Sequence, residues 1–224
     1  MLRSLVGSEM CIRDRDSMTT PATRSRENTR ARLLDAAAQV FAEVGLDGAS
    51  VEAVCDRAGF TRGAFYSNFE SKDELFLMLA GSVGEQRVNG VRARVEEIAA
   101  EGGLSEGCDP VELVQRIMDA GGDDRLGVML MSEIRIRALR DHQFGSAYLV
   151  QEREMVSSIA VIITDIVSVS SLELKVPAEE AARMLMILWE GMTVRGAMAG
   201  QDSDQLRHSG SEELGRLVQL LLAE

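Results

Sequence analysis

A polar stretch between two apolar helical patterns, from residue 59 to residue 71, has side chains suited to reading double-stranded DNA. An Arg guanidinium donates paired hydrogen bonds to guanine or phosphate, an Asn amide pairs with adenine, and Thr and Tyr hydroxyls reach phosphates. A glycine among them lets the backbone approach the nucleic acid closely. The residues predicted to face outward and contact DNA are Thr61, Arg62, Gly63, Tyr66 and Asn68.

Two short helices around Gly59 are predicted to hold this stretch in place. Ser50 is a suitable N-cap for the first helix, and Thr61 for the second, which spans only about two turns. This is the layout of a helix-turn-helix motif, whose second helix lies in the major groove of DNA. On spacing alone, any two short helices joined by a glycine would give the same pattern, so simple packing stays open as an alternative.

Longer helices are predicted on either side of this pair. Apolar residues recur at helical spacing from about residue 29 to Gly45. Ser71, with Glu74 three residues later, is a capping-box pattern and predicts a fourth helix that continues to about residue 100. The two short helices are therefore expected to lie within a larger helical unit.

The chain as a whole is acidic, with 24 Lys and Arg residues against 36 Asp and Glu residues. The excess is concentrated after residue 80, where fourteen basic residues face twenty-four acidic ones, while residues 18–80 hold seven and nine. Because phosphate contact needs a basic edge rather than a basic protein, this composition does not argue against DNA binding. The sequence predicts either a basic edge that contacts phosphate or a solvated arm at four arginines, Arg24, Arg26, Arg30 and Arg32.

The run from about Thr29 to Leu79 resembles the N-terminal DNA-binding domain of the TetR/AcrR family of bacterial repressors. The shared motifs are A-A-x-x-x-F-x-x-x-G, A-G-F-T-R-G-A-F-Y-S-N-F and S-K-D-E-L. The resemblance implies a homodimer, operator contacts from the five residues named above, and phosphate clamping by Ser50 and Lys72. It also implies a larger helical domain that binds an inducer. Asn68 stands where many members carry His, so the base preference of the family does not transfer.

The remainder of the chain keeps a helical pattern, so the predicted fold class is all-α. Further helices are predicted from Asp109 to Gly121 and at about 124–140, 145–169, 177–199 and 211–223.

The sequence is expected to divide into three parts, a leader and two domains. Residues 1–17 contain the string SLVGSEMCIRDR, which resembles translated sequencing-adapter read-through, and are expected to be a non-native, disordered leader before Met18. Residues 18–70 are expected to form the helix-turn-helix DNA-binding domain with its N-terminal arm. Residues 71–224 are expected to form the helical ligand-binding and dimerisation domain.

The last two predicted helices have apolar residues over much of their circumference. One helix needs only one apolar stripe to join its own core, so two broad faces predict a four-helix bundle between two subunits. An ordinary core within one chain is the alternative. The predicted interface residues are Met184, Leu188, Met192, Leu214, Leu217 and Leu221.

A pocket for a small, lipophilic inducer is predicted among adaptable apolar side chains of the second domain. Methionine and aromatic residues commonly line such cavities, although each of them is also suited to a plain core. The predicted ligand-binding residues are Met118, Met131, Ile134, Met155 and Trp189.

Enzyme signatures do not accompany these features. A helical di-iron site would need Glu three residues before His, but Leu139 and Gln205 precede His142 and His208. Phosphate-binding loops and nucleophile elbows do not occur either, so no enzyme activity, cofactor or metal is predicted. A helical adaptor that binds only protein is the competing interpretation.

Cellular location follows from two further features. The chain has no apolar run as long as a membrane span, and its three cysteines lack paired spacing. We therefore expect a cytoplasmic protein without a membrane partner.

Overall fold

A computed structural model describes residues 21–104, 108–119, 125–170 and 172–223. The expected leader, residues 1–17, lies outside these ranges. Helices account for most of the described chain, together with one isolated bridge between Leu174 and Leu222, which confirms the all-α prediction. The helices are α1 (Pro21–Gly48), α2 (Val51–Ala58), α3 (Arg62–Asn68), α4 (Lys72–Ala100), α5 (Pro110–Asp119), α6 (Arg125–Arg140), α7 (His142–Ser170), α8 (Ala178–Met198) and α9 (Ser203–Leu221).

Helices α2 and α3 begin at the caps that the sequence predicts. The Ser50 hydroxyl accepts a hydrogen bond from the Ala53 amide at 3.1 Å, and the Thr61 hydroxyl accepts one from the Ala64 amide at 3.2 Å. Gly59 ends α2 in the left-handed region with φ of 71°, which L side chains rarely adopt. The turn between the two helices is therefore specified by local chemistry.

The start of α4 follows the prediction only in part. The Ser71 hydroxyl accepts a hydrogen bond from the Glu74 amide at 3.0 Å, as a capping box requires. The Glu74 carboxylate, however, accepts its bond from the Glu70 amide at 2.6 Å and not from Ser71. The hydrogen bond that the Glu74 side chain accepts from the preceding backbone is thus made one residue earlier than in a capping box.

Three helices begin earlier than the sequence predicts. Helix α1 starts at Pro21 instead of residue 29, and a backbone break at Gly45 with φ of 71° lies near its end. Helix α7 starts at His142 because the Asp141 carboxylate accepts hydrogen bonds from two amides of its first turn. Helix α9 starts at Ser203 instead of residue 211, behind a capping box formed by Asp202 and Gln205.

One aromatic core joins the first four helices to α6 and α7. Phe65, Phe69 and Phe76 are fully buried in it, and the Phe41 and Phe76 rings meet edge to face with centroids 4.5 Å apart. Ile134 of α6 belongs to the same cluster. The core is continuous across residue 70, so the domain boundary expected there remains a prediction.

The later helices pack through small residues and smaller apolar clusters. Helix α9 lies against α5 and α8: a Cβ on Gly215 would come within 2.9 Å of Val111, and one on Gly210 within 2.6 Å of Trp189. These glycines permit close approach within a single chain. None of the helices among the described residues is both long enough and apolar enough to cross a membrane.

Candidate nucleic-acid interface and ligand cavity

Helix α3 presents four of the five predicted DNA contacts on one exposed face. Thr61, Arg62, Gly63 and Tyr66 are all exposed, and the Tyr66 side chain is 51% accessible. The opposite face of α3 is held in the core by Phe65. The helix is thus fixed on one side and open to a large partner on the other.

Asn68 does not face outward, so the prediction of an outward-facing side chain is wrong at this position. Its side chain is buried, and its amide nitrogen donates to the Ala64 carbonyl at 2.8 Å. The reason is helical geometry, because residue 68 follows the buried Phe65 by one turn and precedes the buried Phe69. Asn68 is a packing residue of α3 in this structure.

An acidic neighbour lies beside the exposed arginine of α3. The Arg62 guanidinium forms an ion pair with Glu52 of α2 at 2.5 Å, and it lies 6.0 Å from the centroid of the Tyr66 ring. Both charged groups are more than half exposed. A phosphate or base approaching Arg62 would therefore compete with the Glu52 carboxylate.

Two arginines of α1 bind the C-terminal end of α3. Arg26 donates to the Ser67 carbonyl at 3.0 Å, and Arg30 donates to the Asn68 carbonyl at 3.2 Å while its guanidinium lies 4.9 Å from the Phe69 ring centroid. Positive charge at the C-terminus of a helix is favourable, because the last carbonyls lack partners within the helix. We name Arg26 and Arg30 the α3 clamp.

Arg32 binds the C-terminal end of α2 in the same way. It donates to the Ala58 carbonyl at 2.9 Å, and its guanidinium lies 4.7 Å from the Phe60 ring centroid. The sequence predicts either a phosphate-binding edge or a solvated arm for the arginines of this region, but three of them bind protein carbonyls. The side chain of Arg24 lies outside the described part of the chain. Sequence reasoning missed this role, because nothing in the arm itself shows which helix ends it will meet.

The two residues predicted to clamp phosphate lie close together. Lys72 donates from its ammonium to the carbonyl of Ala49, next to Ser50, at 3.0 Å, and it lies 5.3 Å from the Phe76 ring centroid. Ser50 and Lys72 therefore mark the neighbouring N-terminal ends of α2 and α4. Helix N-termini attract anions through their free amides.

An arginine of α6 connects the beginning of α4 to the helices behind it. Arg137 donates to Asp73 of α4 at 2.8 Å and to Asp141, the residue that caps α7, at 3.0 Å. Hydrogen bonds from the Phe144 amide lower the pKa of Asp141, and Arg137 contributes to the same shift. The start of α4 is in this way tied to α6 and α7.

A cavity of about 330 Å³ lies between α4 and α7. Of the predicted ligand-binding residues, Met131 and Met155 line it. Ile134 is instead in the aromatic core, Trp189 packs against Gly210, and Met118 is half-buried on α5 without lining the cavity. The role of all five in ligand binding stays a prediction.

The outer faces of α8 and α9 differ in detail from the predicted interface. Leu214 and Leu221 are buried within the chain, Met184 is exposed, and Leu188, Met192 and Leu217 are intermediate. Exposed apolar residues that the sequence reasoning did not select are Ile187, Met198 and Leu220, at 64%, 81% and 72% exposure. Apolar side chains therefore remain exposed on both helices, although most of them are not the residues that the sequence predicts.

Known proteins resemble both the first part of the chain and the whole fold. Residues 33–79 match the family model described as bacterial regulatory proteins, tetR family. The transcriptional repressor AcnR of Corynebacterium glutamicum is 27% identical over 179 residues, which are 80% of this chain and 87% of that protein.

Solved structures show the same arrangement of helices. GusR of Salmonella enterica superposes with a TM-score of 0.65 at 23% identity, over 92% of this chain and 99% of that one. A transcriptional regulator from Mesorhizobium loti, assigned to the TetR family, gives a TM-score of 0.67 at 20% identity, over 88% and 98%. At these identities the likeness concerns the fold.

Proposed function

We propose, because the chain belongs to the tetR family of bacterial regulatory proteins, that this DNA-binding regulator is a ligand-responsive repressor. It binds a palindromic operator as a homodimer and excludes polymerase by occupying the site. The observation that carries the proposal is the outer face of α3, where Arg62 and Tyr66 are exposed on a helix that the core holds rigidly from behind.

Each part of this face has a distinct task in the proposal. Arg62 and Tyr66, with Thr61 at the helix start, enter the major groove and contact bases and phosphates. Ser50 and Lys72, which lie close together, hold a phosphate beside α3. The α3 clamp of Arg26 and Arg30 keeps the helix at the angle that both sets of contacts require. Asn68, being buried, supports α3 and reads no base.

The homodimer rests on the exposed apolar surface of α8 and α9. Ile187, Met198 and Leu220 would be covered by the same surface of a second copy, as a two-fold axis demands. The two copies of α3 then read half-sites separated by one helical turn of DNA, roughly 34–36 Å, or by a multiple of that distance.

Helix α4 supplies the proposed route from ligand to DNA. It begins at Lys72, the residue proposed to bind phosphate, and passes along the cavity through Gly81, Gly84 and Val88. A small inducer with an apolar part, bound against α4 and α7, would shift its N-terminal end and change the spacing of the two α3 helices. By linkage, such an inducer binds the operator-bound protein more weakly, by the same factor by which it weakens operator binding.

A pair of charge-matched variants tests the assignment of α3. Arg62→Ala and Arg57→Ala each remove one exposed arginine that is paired with a glutamate, but Arg57 lies on α2 and pairs with Glu43 of α1. Fluorescence anisotropy on an operator selected from random duplexes should show a loss of about 1–3 kcal/mol for Arg62→Ala. Arg57→Ala should leave the operator affinity near that of the parent protein. Equal affinities of parent and Arg62→Ala would rule out α3 as the reading helix.

A third variant uses the acidic neighbour of Arg62. Glu52→Ala removes the carboxylate that competes with DNA for this guanidinium, so it should tighten binding to operator and to unrelated duplexes alike. Measuring both duplexes at two salt concentrations separates this charge effect from base recognition.

A further inference from the structure

The cavity between α4 and α7 has an apolar side and enough space for a small molecule. Val88, Met131 and Met155 supply apolar side chains, and Gly81 and Gly84 of α4 leave their side of the wall open. A Cβ on Gly84 would already lie 3.2 Å from the Met155 sulfur. The volume of about 330 Å³ is at the lower end of the range of ligand pockets.

Gln151 of α7 adds a hydrogen-bond acceptor that the protein leaves unused. Its side-chain oxygen is buried and accepts no hydrogen bond from any of the described residues. The same amide lies over Gly81, where a Cβ would be 3.4 Å from its nitrogen. A buried carbonyl oxygen without a donor is unfavourable, so this wall favours a ligand that brings an N–H group.

Carboxylates outnumber guanidinium groups around the cavity. Glu85, Glu152 and Glu154 line it, against Arg87 and Arg92. Glu152 is half-buried beside Gln151, and within the described chain it forms neither an ion pair nor a hydrogen bond. A negative charge that is partly removed from water and lacks a counter-ion favours a cation nearby.

The ion pair behind this wall does not neutralise Glu152. Arg135 pairs there with Glu190, and both side chains are largely shielded from solvent. Burial raises the pKa of Glu190 despite the opposing effect of Arg135, and the nearby Glu152 carboxylate raises it further. The Glu152 and Glu190 carboxylates therefore repel each other, and Arg135 and Arg87 only partly offset the raised pKa of Glu190. This repulsion also favours added positive charge.

We propose that this cavity selects a small amphipathic molecule with a protonated amine, which donates to Gln151 and pairs with Glu152 while its apolar part contacts Val88, Met131 and Met155. The proposal rests on the ligand-responsive function proposed above. It extends that function by naming the chemical class of the inducer.

Three probes of equal size and different charge test the selection: 4-phenylbutylamine, 4-phenylbutanol and 4-phenylbutanoate. Isothermal titration calorimetry on the full chain should give the amine an affinity about tenfold above the alcohol, or about 1.4 kcal/mol. The carboxylate should bind weakest of the three.

Side-chain variants identify the partner of the amine. Glu152→Gln should lower the amine affinity several-fold and leave the alcohol affinity unchanged, while Gln151→Glu should raise the amine affinity and lower that of the carboxylate. The matched control is Glu96→Gln, which removes an exposed carboxylate of α4 outside the cavity and should change none of the three affinities. Circular dichroism melts of each variant verify that the fold is intact.

The possible outcomes separate this inference from the function on which it rests. Absence of binding by all three probes, a preference for the carboxylate, or an unchanged amine-to-alcohol ratio in Glu152→Gln would overturn the inference. The inference would also be overturned if a non-cationic compound released the operator without displacing the amine from the cavity. In that case the ligand-responsive function itself would stand. If the amine binds as expected without changing operator affinity, the cavity assignment stands and the ligand-responsive function is overturned.

Discussion

The helix-turn-helix end of the molecule and its second, longer part satisfy their side chains in different ways. In the first part, Ser50 and Thr61 cap their helices, the α3 clamp binds the free carbonyls, and Phe65 is completely buried. In the second part, large apolar side chains remain exposed on α8 and α9, and a cavity lies between α4 and α7. The first part satisfies its helix ends within one chain, although Arg30 Nε and Asn68 Oδ1 are buried there without a hydrogen-bond partner among the described residues. The second part has apolar surfaces and a cavity that another molecule would cover.

The largest expected effect concerns the aromatic core of the first part. Phe65→Ala removes a ring with no exposure and should lower the free energy of unfolding by about 3–5 kcal/mol. The matched truncation Leu139→Ala, at a side chain that is 87% exposed, should change it by less than about 0.5 kcal/mol. Urea denaturation of both variants measures the difference, and similar losses would contradict the burial described here.

The next effect concerns the exposed surface of the second part. Ile187→Glu places a charge where two copies are proposed to meet, so the dimer dissociation constant should rise about hundredfold, or about 2.7 kcal/mol. Leu139→Glu puts the same charge on a surface outside α8 and α9 and should leave the dimer intact. Sedimentation velocity over a range of concentrations distinguishes them. A dimer that survives Ile187→Glu would move the interface elsewhere.

A smaller effect is expected at the α3 clamp. Arg30→Met keeps much of the packing on Phe69 but removes the donor to the Asn68 carbonyl and the ion pair with Glu74, which should together cost about 1 kcal/mol of unfolding free energy. Operator affinity should fall together with stability, because α3 loses its fixed angle. Arg57→Met, at an exposed pair with Glu43, should change neither quantity measurably. A variant that loses stability but binds operator normally would show that the clamp does not orient α3.

The smallest effect lies at the junction of the two parts. The pKa of Asp141 is lowered in the folded chain from its ordinary value of 3.8, chiefly by the hydrogen bond from the Phe144 amide. Its contribution to stability is therefore present above about pH 4 and is lost as pH falls through the lowered folded value. Asp141→Asn should flatten this part of the stability profile, measured by denaturation between pH 5 and pH 2, roughly the range over which a carboxyl titrates. An unchanged slope would show that Asp141 is not coupled to folding.

Local chemistry explains which features could be predicted from the sequence. Caps and glycine turns act over three or four residues, so Ser50, Gly59 and Thr61 specify α2 and α3 before any tertiary contact forms. Where the cap was overlooked, as at Asp141 and Asp202, the helix starts were predicted too late. The family motifs extended this local reading to the function of the first part.

Tertiary packing decided the rest, because it depends on contacts between distant residues. Asn68 has the chemistry of a base-reading residue, yet its place one turn from Phe65 turns it inward. The arginines of the arm look the same in the sequence whether they meet phosphates or carbonyls, and only the crossing of α1 over α2 and α3 brings Arg26, Arg30 and Arg32 to helix ends. Charge and periodicity are properties of the sequence, whereas the partner that each side chain meets is set by how the helices cross.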